Sequence, residues 1–188
     1  MVAEVKPCVV VFSGTPVSGK TKTAEALIRM TNLVHLDVDV FRQLHYPNPG
    51  RILLAEHQER FVMAACYMRL AEEAFRIIEV RSPVLLIGTF SRPEFKAPLE
   101  LLSRVLGEME IPFRAFLLTV SDEEAAQRIE TRRREGSASN IGTLEKYQWA
   151  KKFFQPIEFV PVVTVNTSGK SQGECAREVI GHLSDLCS

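Results

Sequence analysis

The residues with the clearest chemistry are Gly14-Thr15-Pro16-Val17-Ser18-Gly19-Lys20-Thr21, a complete GxxxxGK[ST] pattern. In such a loop successive amides turn inward around phosphate oxygens, the glycines permit that backbone, and the following helix adds positive partial charge at its N-terminus. Lys20 then places a cation on the β and γ phosphates, and the Thr21 hydroxyl helps to hold Mg²⁺. Lys22 joins this loop as a nucleotide-binding candidate. The bland alternative, a glycine turn that merely closes a strand onto a helix, fits less well, because Cys8 to Ser13 reads as a strand and Lys22 to Met30 as a helix. A second stretch, Ser168-Gly169-Lys170-Ser171, has Thr164 where the leading glycine belongs and reads as a loop with a helix cap.

Two further groups of charged residues accompany the loop. In His35-Leu36-Asp37-Val38-Asp39-Val40-Phe41-Arg42 the aspartates close a short apolar run. Strand alternation places Asp37 and Asp39 on one face if the strand continues that far. Asp39 suits acceptance of a proton from an attacking hydroxyl, Mg²⁺ binding through water, or plain capping of a helix from Val40, and Arg42 suits an anionic acceptor. Arg128 and Arg132 stand four residues apart, so on a helix they share a face beside Ala125, Ala126 and Ile129. Two guanidinium groups there suit a lid that closes on a triphosphate and stabilises transferring charge, whereas Arg133 and Arg134 read as solvated.

Weaker candidates complete the set. Asn166 and Thr167 follow the last strand and either line a base pocket or form an ordinary turn. Thr89, Phe90 and Arg92 lie just beyond the third strand, where an acceptor binds in open α/β sheets. His35, His45, His57 and His182 are isolated and lack metal-ligand spacing, and Trp149, with Tyr147 and Phe153, reads as a packing anchor.

Positioning these groups requires a βαβ framework. Five apolar, β-branched runs read as strands: Pro7 to Ser13, Val34 to Val38, Pro83 to Phe90, Pro112 to Val120 and Phe159 to Val165. Pro161 pushes the last towards a sheet edge. Ser91 with Glu94, Ser121 with Glu124 and Ser171 with Glu174 have capping-box spacing and predict three helix starts. Ile52 to Val80 reads as one long helix or two stacked ones after the breaker cluster Tyr46 to Gly50. Arg133 to Thr143 is a polar, glycine-containing insertion between helices, the expected mobile lid (about residues 128–143). Alternation of strand and helix throughout predicts an α/β three-layer sandwich built on a parallel sheet, as one domain over residues 1–188.

Composition narrows the function. Of 188 residues, 46% are hydrophobic and 24% charged, which excludes membrane-spanning and disordered classes. Lys plus Arg and Asp plus Glu number 23 each, so no bulk field favours a long nucleic acid. Cys8, Cys66, Cys175 and Cys187 are scattered, the first apolar run is too short for a signal peptide, and a reducing cytoplasmic setting follows. No DxxG or NKxD appears where a GTPase needs it, and Leu85 to Thr89 carries no terminal acid of the kind an ATPase motor uses. A kinase becomes the leading class.

Taken in order, GTPVSGKT, DVFR, GTFSRPEF and QRIETRRREG resemble the small P-loop kinases related to polynucleotide 5′-hydroxyl kinases and zeta-toxin phosphotransferases, and LDVDVFR resembles the LDGDNVR stretch of adenylylsulfate kinases. The resemblance implies a five-stranded parallel sheet with helices on both faces, Mg-ATP as donor and transfer of the γ-phosphoryl group to a hydroxyl. It implies Asp39 as general base, Arg42 as its paired arginine, and Arg128 and Arg132 as lid arginines. One departure stands out: polynucleotide kinases end the third strand Asp-Thr-Asn, whereas this chain has Gly88-Thr89-Phe90. The expected activity is therefore phosphoryl transfer to a small hydroxyl acceptor. The alternatives are a polynucleotide 5′-hydroxyl kinase and a non-catalytic nucleotide-binding sensor or partner. Lys20, Arg42, Arg128 and Arg132 are expected to converge on one crevice while carboxylates dominate elsewhere.

Overall fold

Residues 2–45, 56–136 and 142–187 are described by the structure, a computed structural model. The Tyr46-to-Gly50 cluster, the first residues expected for the long helix and residues 137–141 of the expected lid lie outside them.

Strands β1 (Val9–Ser13), β2 (Val34–Asp37), β3 (Val84–Ile87), β4 (Phe113–Thr119) and β5 (Val162–Asn166) form one sheet in the order β2-β3-β1-β4-β5. Every pairing is parallel, and Val9 lies level with Val84 on one side and Phe113 on the other. The chain therefore leaves every strand at the same edge of the sheet, where an open α/β fold builds its ligand crevice.

Alternation along β1 builds the layers. Val9 and Val11 enter the core with helices α3 (Glu56–Glu79) and α4 (Pro93–Glu108). Val10 and Phe12 face α1 (Lys20–Met30) and α7 (Gln172–His182). The interior strands are thus apolar on both faces, as a covered parallel sheet requires. Helices α5 (Asp122–Arg134) and α6 (Leu144–Lys152) lie at the carboxyl edge, where Ala125, Ile129 and Tyr147 pack on Val17 of the glycine loop.

Several boundaries differ from expectation. β2 stops at Asp37, and α2 (Val38–His45) begins at once, so the two aspartates do not share a strand face. Asp37 takes the capping position considered for Asp39: its Oδ1 accepts the Asp39 amide at 2.9 Å. Asp39 sits in the first turn of α2 and is exposed. β3 ends at Ile87, before Gly88 and the left-handed Phe90 (φ 47°). Helix α4 is not capped by Ser91; Arg92 holds the cap position with no side-chain bond, and Pro93, pre-set for helical φ, opens the helix. At α5 Ser121 accepts the Glu124 amide, but the Glu124 carboxylate turns elsewhere, so only α7 has the complete reciprocal box. Pro161 immediately precedes β5, which is an edge strand. Trp149 is no packing anchor: it is half exposed, and Tyr147 fills the buried position.

Candidate active site

Short-range geometry shapes the loop between β1 and α1. Gly14 has φ 145° and Gly19 φ 88°, both in the half of backbone space that side chains disfavour. A Cβ on Gly14 would lie 2.3 Å from the Leu118 carbonyl oxygen, so only glycine fits. Val17, buried and β-branched, is held at φ 59°, a strained conformation that the surrounding structure must impose. Its side chain is clamped by Ala125, Ile129 and Tyr147. Its carbonyl accepts from Arg128 Nη1 at 3.0 Å.

Lys20 curls back into the loop, where Nζ donates to the carbonyls of Gly14 (2.9 Å) and Thr15 (2.8 Å). Burial pulls its pKa down to about 8, against the opposing pull of Asp37 and then Asp39, while Arg132 adds to the lowering. Lys20, Asp37, Asp39 and Arg132 therefore share one electrostatic neighbourhood. Burial raises the Asp37 pKa, and the Asp39 amide opposes that rise.

The two lid arginines part company. All five N–H donors of Arg128 are engaged: Nε and Nη2 on Glu124 Oε1 (3.2 and 2.7 Å), Nη1 on Val17 O and Thr167 Oγ1 (3.0 and 3.1 Å), and Nη2 on Thr167 O (3.0 Å). Glu124 Oε2 accepts the Gly169 amide at 2.8 Å, and that bond, followed by Arg128, holds the carboxyl below its usual range. Thr167, buried, presents its hydroxyl to Ser18 O (3.0 Å) and Thr119 O (2.9 Å). Arg128 thus ties the glycine loop to the turn after β5, and in this arrangement it has no donor left for a transferring phosphoryl group. Arg132 makes no hydrogen bond or ion pair among the described residues, and its charge is felt at Lys20.

The remaining candidates fall as follows. Thr21 is exposed near the start of α1. Lys22 is turned along the helix to Glu25 (3.0 Å) and away from the loop. Asn166 is exposed and accepts the Ser168 amide at 3.0 Å in a local turn. Arg42 is paired with Glu59 of α3. The crevice is consequently not purely cationic: Asp37, Asp39, Glu59 and Glu124 lie among its arginines and lysine.

Tyr67, Glu59 and Glu124 were not read from the sequence as site residues. Glu124 had a signal, four residues before Arg128 on one helix. Tyr67 had none, since it reaches the end of β3 from the middle of α3. Its hydroxyl accepts the amides of Thr89 (3.1 Å) and Phe90 (3.3 Å) and lies 3.1 Å from Thr89 Oγ1. Buried there, its phenol is pushed up to about 12. A Cβ on Gly88 would stand 2.8 Å from the Tyr67 ring, which explains why no acid occupies that position.

These residues fit a nucleotide phosphate chain. Gly14 admits no side chain, the first-turn amides of α1 lack intrahelical acceptors, and a partly desolvated ammonium lies in the loop. Thr21, Asp37 and Asp39 offer only hard oxygen donors, the set that Mg²⁺ prefers.

Comparison with known proteins bears on the fold and the family. No curated protein matches the chain. Among solved structures it is similar to a provisionally assigned kinase from Chloroflexus aurantiacus j-10-fl, with TM-score 0.70 and 20% identity over 97% of this chain and 98% of that one. It is also similar to a gluconokinase from Sinorhizobium meliloti 1021, with TM-score 0.63 and 20% identity over 96% and 93%. A third is the APS kinase of Mycobacterium tuberculosis in complex with AMPPNP and APS, with TM-score 0.65 and 19% identity over 96% and 99%. At these identities the likeness establishes a shared fold, the α/β three-layer P-loop kinase fold. A family model, AAA_33, described as an AAA domain, matches residues 9–157, from the first strand through α6. The chain belongs to this AAA domain family and has the fold of the small P-loop kinases.

Proposed function

We propose that the chain is an ATP-dependent phosphotransferase that moves the γ-phosphoryl group of Mg-ATP to a hydroxyl of a small-molecule acceptor. The observation that carries this reading is the shared neighbourhood of Lys20, Asp37, Asp39 and Arg132 at the mouth of the glycine loop. Two cations there can oppose charge on a transferring group, and two carboxylates can take a proton or hold a cation.

The loop amides from Gly14 to Thr21 bind the phosphates, and Lys20 leaves its carbonyl partners for the β and γ oxygens. Thr21 would hold Mg²⁺, with Asp39 reaching it through a water molecule, and the ion would neutralise phosphate charge. Asp39, exposed at the start of α2, accepts the acceptor's proton as its oxygen bonds to the γ-phosphorus and the bond to the β–γ bridging oxygen breaks, leaving ADP. Arg132 offsets charge on the passing phosphoryl group. Arg128 positions the loop and its neighbouring turn, with Asn166 and Thr167 beside the nucleotide. Thr89, Arg92 and Arg42 border the acceptor.

A screen of labelled ATP against nucleosides, sugars, sugar nucleotides, amino alcohols and oligonucleotides tests the reading. Transfer to a small hydroxyl compound is expected, with Asp39→Asn lowering turnover by about 10²–10⁴ while ATP binding persists. Transfer confined to oligonucleotides, with affinity falling steeply in salt, would replace it with the 5′-hydroxyl kinase reading. Unchanged turnover in Asp39→Asn would remove Asp39 as the base.

A further inference from the structure

The hydrogen bonds of Tyr67 fix more than the backbone after β3. A phenol hydroxyl has acceptor capacity on its oxygen and a single proton to give. The oxygen is fully used, because it accepts the amides of Thr89 (3.1 Å) and Phe90 (3.3 Å). The proton therefore goes to the remaining neighbour, Thr89 Oγ1 at 3.1 Å, since the reverse arrangement would leave a buried O–H without an acceptor. Two further observations hold that direction. The Tyr67 ring packs on Phe90 and Phe95, with centroids 4.9 Å away in each case, and the phenol, pushed up to about 12, stays protonated around neutral pH.

The consequence falls on Thr89. Its oxygen accepts from Tyr67, and its own proton has no acceptor among the described residues. Hydrogen bonds in a chain polarise one another, so a hydroxyl that already accepts is a stronger donor. Thr89 is half-buried, two residues past Ile87, which lies level with Phe12 of β1 and Asp37 of β2. It stands next to the strands that carry the glycine loop and the aspartates, and the charge of Asp39 is felt at Tyr67.

Resting on the kinase reading above, we propose that Thr89 donates a hydrogen bond to the acceptor, and that the acceptor is a polyhydroxy compound whose second oxygen receives it. Tyr67 is the positioning residue that sets this polarity. The reacting oxygen is a poor partner for Thr89: its proton passes to Asp39 and a lone pair goes to phosphorus, so a donor there would withdraw the attacking electrons. An oxygen on a neighbouring carbon has no such conflict.

The full chain is assayed for transfer from labelled ATP to glycerol, ribose, glucose and adenosine, with ethanolamine as the probe that has one oxygen only. The best substrate is then replaced by its singly deoxygenated forms. Loss of one particular oxygen should raise KM about tenfold, as loss of one hydrogen bond does. Thr89→Val should raise the KM of the parent compound by the same factor, keep the KM for ATP, and no longer distinguish the parent from that deoxy form. Thr89→Ser, which retains the hydroxyl, should restore the distinction. Tyr67→Phe should raise the acceptor KM by a smaller factor, and its effect should shrink when Thr89 is already valine. An acceptor KM unchanged in Thr89→Val, a rise confined to ATP, or ethanolamine used as well as the polyhydroxy compounds overturns the assignment alone. Transfer to no hydroxyl compound at all refutes the kinase reading, and the assignment falls with it.

Discussion

The loop from Gly14 to Thr21 and the junction from Gly88 to Glu94 both lie at the carboxyl edge of the sheet, but they are held in place differently. The loop is shaped largely by neighbours in sequence, through two left-handed glycines and a lysine folded onto carbonyls five and six residues away, and is braced from outside by Arg128 and the residues packed on Val17. The junction is shaped from a distance, by a tyrosine hydroxyl from 22 residues upstream. Donor binding, common to many chemistries, rests on local backbone. On the reading proposed above, acceptor binding rests on side chains brought to the junction from a distance.

Substitutions can break either side selectively. The largest effect is expected from Lys20→Ala, a loss of turnover by about a thousandfold or more, checked by labelled ATP with circular dichroism unchanged. Arg128→Ala should come next. It strands a partly buried Glu124 carboxylate and the Val17 and Thr167 carbonyls, costing about 2–4 kcal/mol in denaturant unfolding, with a raised KM for ATP. Arg132→Ala sharpens the contrast, since it should lower kcat while leaving unfolding unchanged.

On the acceptor side, Gly88→Ala should cost about 1–3 kcal/mol by overpacking against Tyr67. In the double variant with Tyr67→Leu the two costs should fall short of their sum, because the clash has been removed. The smallest effect is on the donor side and depends on pH. The Lys20 pKa is lowered to about 8, so the free protein holds the ammonium charged below that value and loses it above. A triphosphate favours the charged form, so ATP affinity should fall about tenfold between pH 7 and 9 in calorimetry. Lys20→Arg, charged throughout, should flatten that slope.

Legibility in the sequence followed the same division. Strand runs, the glycine loop and the Ser171 cap depend on residues within about one helical turn of each other, and pattern reading found them. Asp37 and Asp39 would share a strand face only if β2 ran past Asp37, and the alternative of a helix capped by Asp39 misses the start by two residues; the cap is Asp37 itself. Arg128 and Arg132 looked equivalent by spacing. Tertiary contacts from Val17 and Thr167, over 100 residues away in one case and 39 in the other, separated them. Proline at the first position of α4 displaced the Ser91 cap, a competition that spacing alone does not resolve.

The packing of Tyr67 against Gly88 couples the two positions sterically. A relative with an acid at the strand end has to carry a smaller residue on the facing turn of α3, and a relative with tyrosine there has to keep glycine. An intermediate with both large residues would be crowded, and one with neither would leave the Thr89 and Phe90 amides without their acceptor. Passage between the two arrangements therefore requires paired substitution, so lineages of this fold should separate into two groups at these positions, with few mixed members.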